Sequence, residues 1–532
     1  MASKLLATKP LSLLLEEMAG ENRLRRVLGP VQLSALGVGA IIGTGIFVLT
    51  GEAAHDRTGP ALMLSFVVAG IACVFAALCY AEFASMVPVA GSAYTYAYAT
   101  LGEIFAWIIG WDLVLEYAIG SATVAHGWSA HFREFIPLLG LHVPKHFASA
   151  PFDYMPATGQ FVRTGSYFDL PAIVITFILT LVLVKGIRES AGFNAVMVVI
   201  KLSIVLLVIG IGVFYINPAN WHPFAPYGYT GVSFFGHTLM GKTGLGGEPL
   251  GMFAGAAIIF FAYIGFDSVS VHSEEARKPA HDVPIAIITS LVICTILYIA
   301  VSAVLTGMVP SHQIDRDAAV VDAFRRVGLT WMQYLVAAGA MTGITSVLLV
   351  MMLSQPRVLL AMGRDGLVPP SFFGAIHPRF RTPWKSTILT GVFVASAAAV
   401  LPLSILAEMT NIGTLFAFVI VCAAVMVMRK THPDAKRPFR APWVPLVPIL
   451  GILMCLLLMF SLPAGNWYRL IIWLLIGFAI YYFYGRHHSV MAKHRHLEHE
   501  IAAHGLSAPA VGDPDAPPSS PAAPIDTSIK EP

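Results

Sequence analysis

The stretch VGAIIGTGIFVLTG, Val38 to Gly51, decides how this chain is read. It is apolar enough to enter a bilayer, yet Gly39, Gly43, Gly45 and Gly51 interrupt it, with Thr44 between two of them. Glycine weakens a helix by about 1 kcal/mol relative to alanine, so G-T-G is where backbone hydrogen bonding is expected to break. Broken backbone at membrane depth survives only where protein buries it or where it lines a cavity. A break frees N–H groups at the start of one half-helix and C=O groups at the end of the other. Together these suit a zwitterion, carboxylate to N–H and ammonium to C=O. Gly39-x-x-x-Gly43 also fits a close helix contact, and on this stretch alone both readings stand.

Composition sets the class. Of 532 residues, 57% are hydrophobic and 12% charged, against about 25% charged in soluble domains; the mean hydropathy is +0.74. The chain is therefore read as an all-α polytopic membrane protein whose first partner is the lipid bilayer. A formal net charge of +3 argues against a nucleic-acid partner. Cys73, Cys79, Cys294, Cys422 and Cys455 all lie in apolar runs without a C-x-x-C, which gives neither a disulfide framework nor a metal site. The first thirty residues are polar and basic, unlike a cleavable signal.

At about 20 apolar residues per span, roughly twelve spans are expected: 31–53, 60–85, 103–130, 168–186, 191–216, 249–273, 284–308, 332–362, 384–404, 407–428, 442–462 and 467–485. Residues 1–30 then form a cytoplasmic arm with Lys4, Lys9, Arg23, Arg25 and Arg26, and 217–248 an extracellular loop. Basic groups such as Lys185, Arg188, Arg277, Lys278 and the run Arg429 to Arg440 fall on the arm's side, placing both termini in the cytoplasm of a cell-membrane protein. The tail 486–532 begins with His487, His488, His494, His496, His499 and His504, whose irregular spacing fits a solvated segment better than metal ligands; disorder is expected from about 506.

Span six, MFAGAAIIFFAYIGFDSVSVHSEEARKP, carries Gly265 and, two residues on, the carboxylate of Asp267. Asp267 is either an inner-end residue paired to a base or part of a second break at Ile264–Gly265. Matched glycine-interrupted segments in two halves are the best sequence pointer to a transporter site. Spans one and six are such a pair if 31–216 is one five-span half and 249–404, completed by the span to about 428, is an inverted second; 405–485 then holds spans ten to twelve.

GAIIGTGIFVLTG in span one, FFAYIGFDSVSVHSEEARKPAHDVPIAI across spans six and seven, and QPRVLLAMGRDGLVP after span eight resemble the amino acid–polyamine–organocation superfamily. Within it they are most similar to the bacterial branch of the cationic amino acid transporter family, over about Arg23 to Tyr484. The resemblance implies a five-plus-five inverted repeat with helices one and six broken, two extra helices, and secondary transport of L-amino acids, with no enzyme activity. It implies that the substrate carboxylate meets N–H groups around Gly43, Thr44 and Gly45. The ammonium would meet carbonyls of Ile41, Phe261, Ala262 and Ile264. Glu116, in WDLVLEYAIGSA, matches a family glutamate near the pocket and is otherwise a helix–helix polar contact. Glu274, Glu275, Arg277 and Lys278 match an inner loop that sets gating.

Lys201 stands about ten residues into an otherwise uncharged span (GFNAVMVVIKLSIVLLVIGIGVFYI). It either snorkels to the interface or, as the resemblance implies, occupies the place where sodium-coupled relatives hold an ion, making the proton the coupling ion and no other cofactor necessary. Its expected partners are carbonyls around Gly37 and Val38 and the hydroxyls of Thr345 or Ser346. Desolvation lowers a buried lysine's pKa by about 3–5 units, into the titrating range. Met351 replaces a small serine of animal cationic carriers, either shortening the side-chain pocket or merely packing. The shortened pocket favours small neutral amino acids over arginine and lysine. A cationic carrier, an exchanger and a non-transporting amino acid sensor are the alternatives. No G-x-x-x-x-G-K-[ST] is present for direct ATP drive.

Overall fold

The computed structural model describes residues 8–9, 28–86, 92–155, 160–186, 190–244, 247–271, 273 and 276–492. The readings made on Lys4, Arg23, Arg25, Arg26, Arg188, Glu274, Glu275, His494, His496, His499 and His504, and on the segment beyond 506, lie outside the described residues. The principal helices are α1 (Pro30–Ile41), α2 (Leu62–Met86), α3 (Glu103–Phe135), α4 (Leu170–Lys185), α5 (Ser190–Gly212), α6 (Met252–Ile259), α7 (Pro279–Met308), α8 (Thr330–Arg364), α9 (Trp384–Val400), α10 (Leu403–Thr431), α11 (Leu446–Met459) and α12 (Ala464–Ile480). Among the described residues, eight helical segments are long and apolar enough to cross a membrane; α1, α4, α9 and α11 are shorter apolar helices beside them. Short antiparallel strand pairs fold the connections: Phe152–Met155 with Gln160–Arg163, Val232–Phe234 with His237–Met240, and Lys242–Thr243 with Pro249–Leu250.

Local sequence fixes the helix starts. Pro30 opens α1, and the Gln32 side chain accepts the Gly29 N–H at 2.7 Å, so the first turn is pre-set and one free donor is met. Asp169 caps α4 by accepting the Ala172 N–H at 3.1 Å, and the same carboxylate takes the Ser129 hydroxyl of α3 at 2.6 Å.

Burial then sorts the helices. Every residue of α3 from Leu115 to Gly127 is buried, as expected of a helix apolar all round. By contrast α4, α5, α9 and α12 turn Leu181, Val199, Val392 and Leu475 outward, the surface a lipid solvent permits. Helices α8 and α10 make the main packing on α3. Glu82 accepts two bonds from Arg429 at 3.0 and 2.7 Å, and the Ala441 N–H at 2.8 Å.

Candidate functional site

Helix α1 stops at Ile41 because Ile42 turns extended (φ −74°, ψ 106°), and helical turns resume at Gly45 and run to Thr58. Helix α6 passes through a 3-10 turn, Phe260–Tyr263, and then breaks: Ile264 is extended (φ −58°, ψ 134°) and Gly265 has φ +116°. Only glycine takes that φ without strain, and a Cβ there would lie 2.8 Å from the Ala40 carbonyl oxygen. Asp267 accepts the freed Gly265 N–H at 3.2 Å and the Tyr117 hydroxyl of α3 at 2.9 Å. Among the described residues no base pairs with it, so the inner-end ion pair is replaced by a capping role.

The two breaks touch. The Tyr298 hydroxyl on α7 lies 2.9 Å from the Ile41 carbonyl oxygen and 2.9 Å from that of Ala262. A Cβ on Gly45 would sit 2.2 Å from the Ala262 Cα, so this glycine is what allows the two backbones to meet.

Lys201, fully buried on α5, sends its ammonium to the end of α1. The Nζ donates to Gly39 O at 2.5 Å, Ser346 Oγ at 2.7 Å and Ile42 O at 2.9 Å, and stands 3.5 Å from Gly343 O. Gly37 and Val38 are not its partners: Val38 O already accepts the Ile42 N–H at 3.0 Å, and only the last turn of a helix leaves carbonyls free. Thr345 is also corrected. Its hydroxyl donates to Met341 O at 2.7 Å and accepts the Trp128 indole N–H at 3.0 Å, a position apart from Ser346 around the helix. No carboxylate pairs with Lys201 among the described residues. The negative pole of α1 and neutral oxygens hold the cation.

This geometry coincides with a family profile: the one described as "Amino acid permease" matches residues 28–481. The chain belongs to the amino acid permease family. The permease is 46% identical to the Bacillus subtilis branched-chain amino acid permease BcaP over 479 residues, which is 90% of this chain and 96% of that one. It is 43% identical to the methylthioribose transporter of the same organism over 491 residues, 92% and 100% of the two chains. Cationic amino acid transporter 4, vacuolar, of Arabidopsis thaliana is 32% identical over 586 residues, 89% and 94% of the chains. The permease is thus a transporter of the amino acid–polyamine–organocation superfamily rather than an enzyme, and a multi-pass membrane protein.

Within the permease, the remaining candidates divide. Thr44 is buried with its Oγ1 unmet, and its methyl faces Gly127 of α3, where a Cβ would lie 2.6 Å away. Gly43 faces Val347 of α8, and one turn further along α8 Met351 packs over Gly120 of α3 beside Thr410 of α10. Glu116, one turn from Gly120, is buried with Oε1 unmet. It stands eleven residues from Gly127, about 16 Å along the helix, so Glu116 and Thr44 do not meet across one ligand head. Val347 and Met351 of α8, packed on Gly43 and Gly120, lie between the first break and the level of Glu116. Phe261 and Ile264 are buried at the second break, the Ile264 N–H donating to Phe261 O at 3.2 Å. Tyr298 was not singled out in the sequence. Its signal there is a hydroxyl set in the apolar run ICTILYIAV, which must find a partner once buried.

Proposed function

We propose that the permease is a proton-coupled secondary transporter of neutral L-amino acids that works by alternating access. The observation carrying this reading is the single Tyr298 oxygen 2.9 Å from carbonyls of both breaks. It supports a head-group site where the helix poles converge, within twelve spans arranged as a five-plus-five inverted repeat with the termini in the cytoplasm. The amino acid carboxylate takes the N–H groups at Gly43, Thr44 and Gly45 and the unmet Thr44 hydroxyl. Its ammonium takes the second lone pairs of Ile41, Phe261, Ala262 and Ile264 carbonyls, and its side chain runs toward Met351.

Coupling is assigned to Lys201. Charged, it ties α1 to α8 through Gly39, Ile42 and Ser346; neutral, it leaves α1 free to tilt, a two-state element biased by a proton. A neutral side-chain preference is supported by Met351 over Gly120 and by the branched-chain name of the relative BcaP. The test is uptake of labelled L-leucine and L-alanine into proteoliposomes, with competition by all common amino acids and by methylthioribose. Competition by leucine, valine and alanine is expected. Competition by arginine and lysine alone transfers the assignment to a cationic carrier using Glu116, and methylthioribose alone transfers it to a sugar.

A further inference from the structure

At the end of the bundle opposite Pro30, a cavity of about 170 Å³, open at its mouth, is lined by Tyr154, Glu248, Glu408, Ala464 and Arg469 among others. Its polar groups are built into the fold. Glu248 and Glu408 are 2% and 3% exposed, and both lean on the fully buried guanidinium of Arg57, at 3.5 and 3.1 Å. Glu248 Oε1 accepts the Tyr154 hydroxyl at 2.6 Å, and Glu408 Oε2 accepts Asn466 Nδ2 at 3.0 Å. Arg469 donates to Asn466 Oδ1 at 2.6 Å but stands 3.9 Å from Glu408, on a side chain 32% exposed.

The pairing is uneven. Arg57 is shared by both carboxylates, Arg469 reaches only Glu408, and Glu248 Oε2 has no hydrogen-bond donor. Burial raises the Glu248 carboxyl above its ordinary range against the downward pull of Arg57. The cavity therefore offers the undonated Glu248 oxygen for a cation and, on the Glu408 side, a partly exposed guanidinium for a carboxylate. Arg57 belongs to the helical run that begins at Gly45, so a cation that competes for Glu248 and Glu408 loosens the far end of the segment carrying the first break.

We infer that this cavity is a second binding site for the zwitterionic head of an α-amino acid, with the ammonium at Glu248 and Glu408 and the carboxylate at Arg469. The choice of ligand rests on the function proposed above. The experiment uses the full chain in nanodiscs carrying Ala464→Cys and a hydrophilic maleimide; the five native cysteines are all buried. L-Leucine is expected to slow labelling by 1 + [L]/Kd, about elevenfold at ten times the half-protecting concentration. The slowing should persist with Thr44→Val added, and it should be lost with Arg469→Gln, which leaves the buried Arg57 pairs intact, and with Glu248→Gln. Neither 3-methylbutylamine nor 4-methylpentanoate, each lacking one head charge, should match leucine.

Absent slowing at saturating leucine overturns the site. So does slowing abolished by Thr44→Val, which would report a conformational echo of the central site, and so does equal protection by the amine, which would leave a cation site only. Leucine uptake measured on the same Ala464→Cys protein separates the two readings: uptake without protection overturns this site alone, and neither uptake nor protection overturns both.

Discussion

Replacing Lys201 with methionine removes the ammonium and keeps a chain of similar length in the space that Gly343 leaves open beside it. Two carbonyls, Gly39 O and Ile42 O, lose their donor, while Ser346 keeps its own bond to Gly343 O at 2.8 Å. Each unmet buried carbonyl costs about 1–3 kcal/mol. In the opposite direction, removing a buried cation that has no carboxylate partner leaves no orphaned countercharge and relieves its desolvation. The net loss is thus limited to about a few kcal/mol, and the variant is expected to fold. Leucine binding is expected to persist, because the Ile41 and Ala262 carbonyls belong to Tyr298 and not to Lys201.

Coupling is what should fail. A diffusion potential of about 120 mV supplies about 2.8 kcal/mol per translocated charge, enough for roughly a hundredfold gradient. Proteoliposomes with the wild-type permease, given that potential at equal pH on the two sides, should accumulate labelled leucine toward that limit. The Lys201→Met variant should exchange labelled for unlabelled leucine but level at equal concentrations on the two sides. Accumulation by the variant equal to wild type, at the same potential, refutes the assignment of the proton to Lys201.

Gly45→Ala drives a Cβ to 2.2 Å from the Ala262 Cα, a backbone atom that cannot step aside; about 1–3 kcal/mol of overpacking or more should appear as early unfolding on fluorescence-detected size exclusion. Gly43→Ala meets only the Val347 side chain at 2.6 Å and should retain more of both stability and uptake. Tyr298→Phe should lower the melting temperature without substrate and enlarge the upward shift produced by leucine, because an ammonium supplies the lost donor; an unchanged shift speaks against the head-group placement. Met351→Ser clears the space over Gly120 and should let lysine and arginine compete for leucine uptake, whereas unaltered competition removes Met351 from the pocket.

The breaks were legible in the sequence because glycine is a poor helix former and a second glycine-interrupted span matched the first; the first stretch alone fits close helix packing equally well. Lys201 was legible for a related reason: a lone ammonium deep in an apolar helix has few bland accounts. Its partners were half legible. Which carbonyls a helix end releases depends on the residue where it stops, and composition did not fix Ile41 as that residue. This shifted the partners from Gly37 and Val38 to Gly39 and Ile42. Tyr298 was hidden because its importance lies in two carbonyls 257 and 36 residues away. Arg57 was hidden likewise. It sits past the apolar run and reads as a loop residue until Glu408, 351 positions on, closes over it.

Three side chains stitch the breaks. Inside a bilayer a freed backbone group must meet a partner in every state, and here the work is divided. Lys201 takes Gly39 and Ile42, Tyr298 takes Ile41 and Ala262, and Asp267 takes the Gly265 N–H. Tyr298 has a single proton for two carbonyls, so at any moment one of Ile41 O and Ala262 O lacks its donor, and the Thr44 hydroxyl is buried and unmet. In the head-group placement proposed above, an ammonium would supply the donor that Tyr298 cannot give to both carbonyls at once, and a carboxylate would relieve the Thr44 hydroxyl. Both ends of the zwitterion would then contribute to affinity for the head, and the choice among amino acids would fall to the side chain.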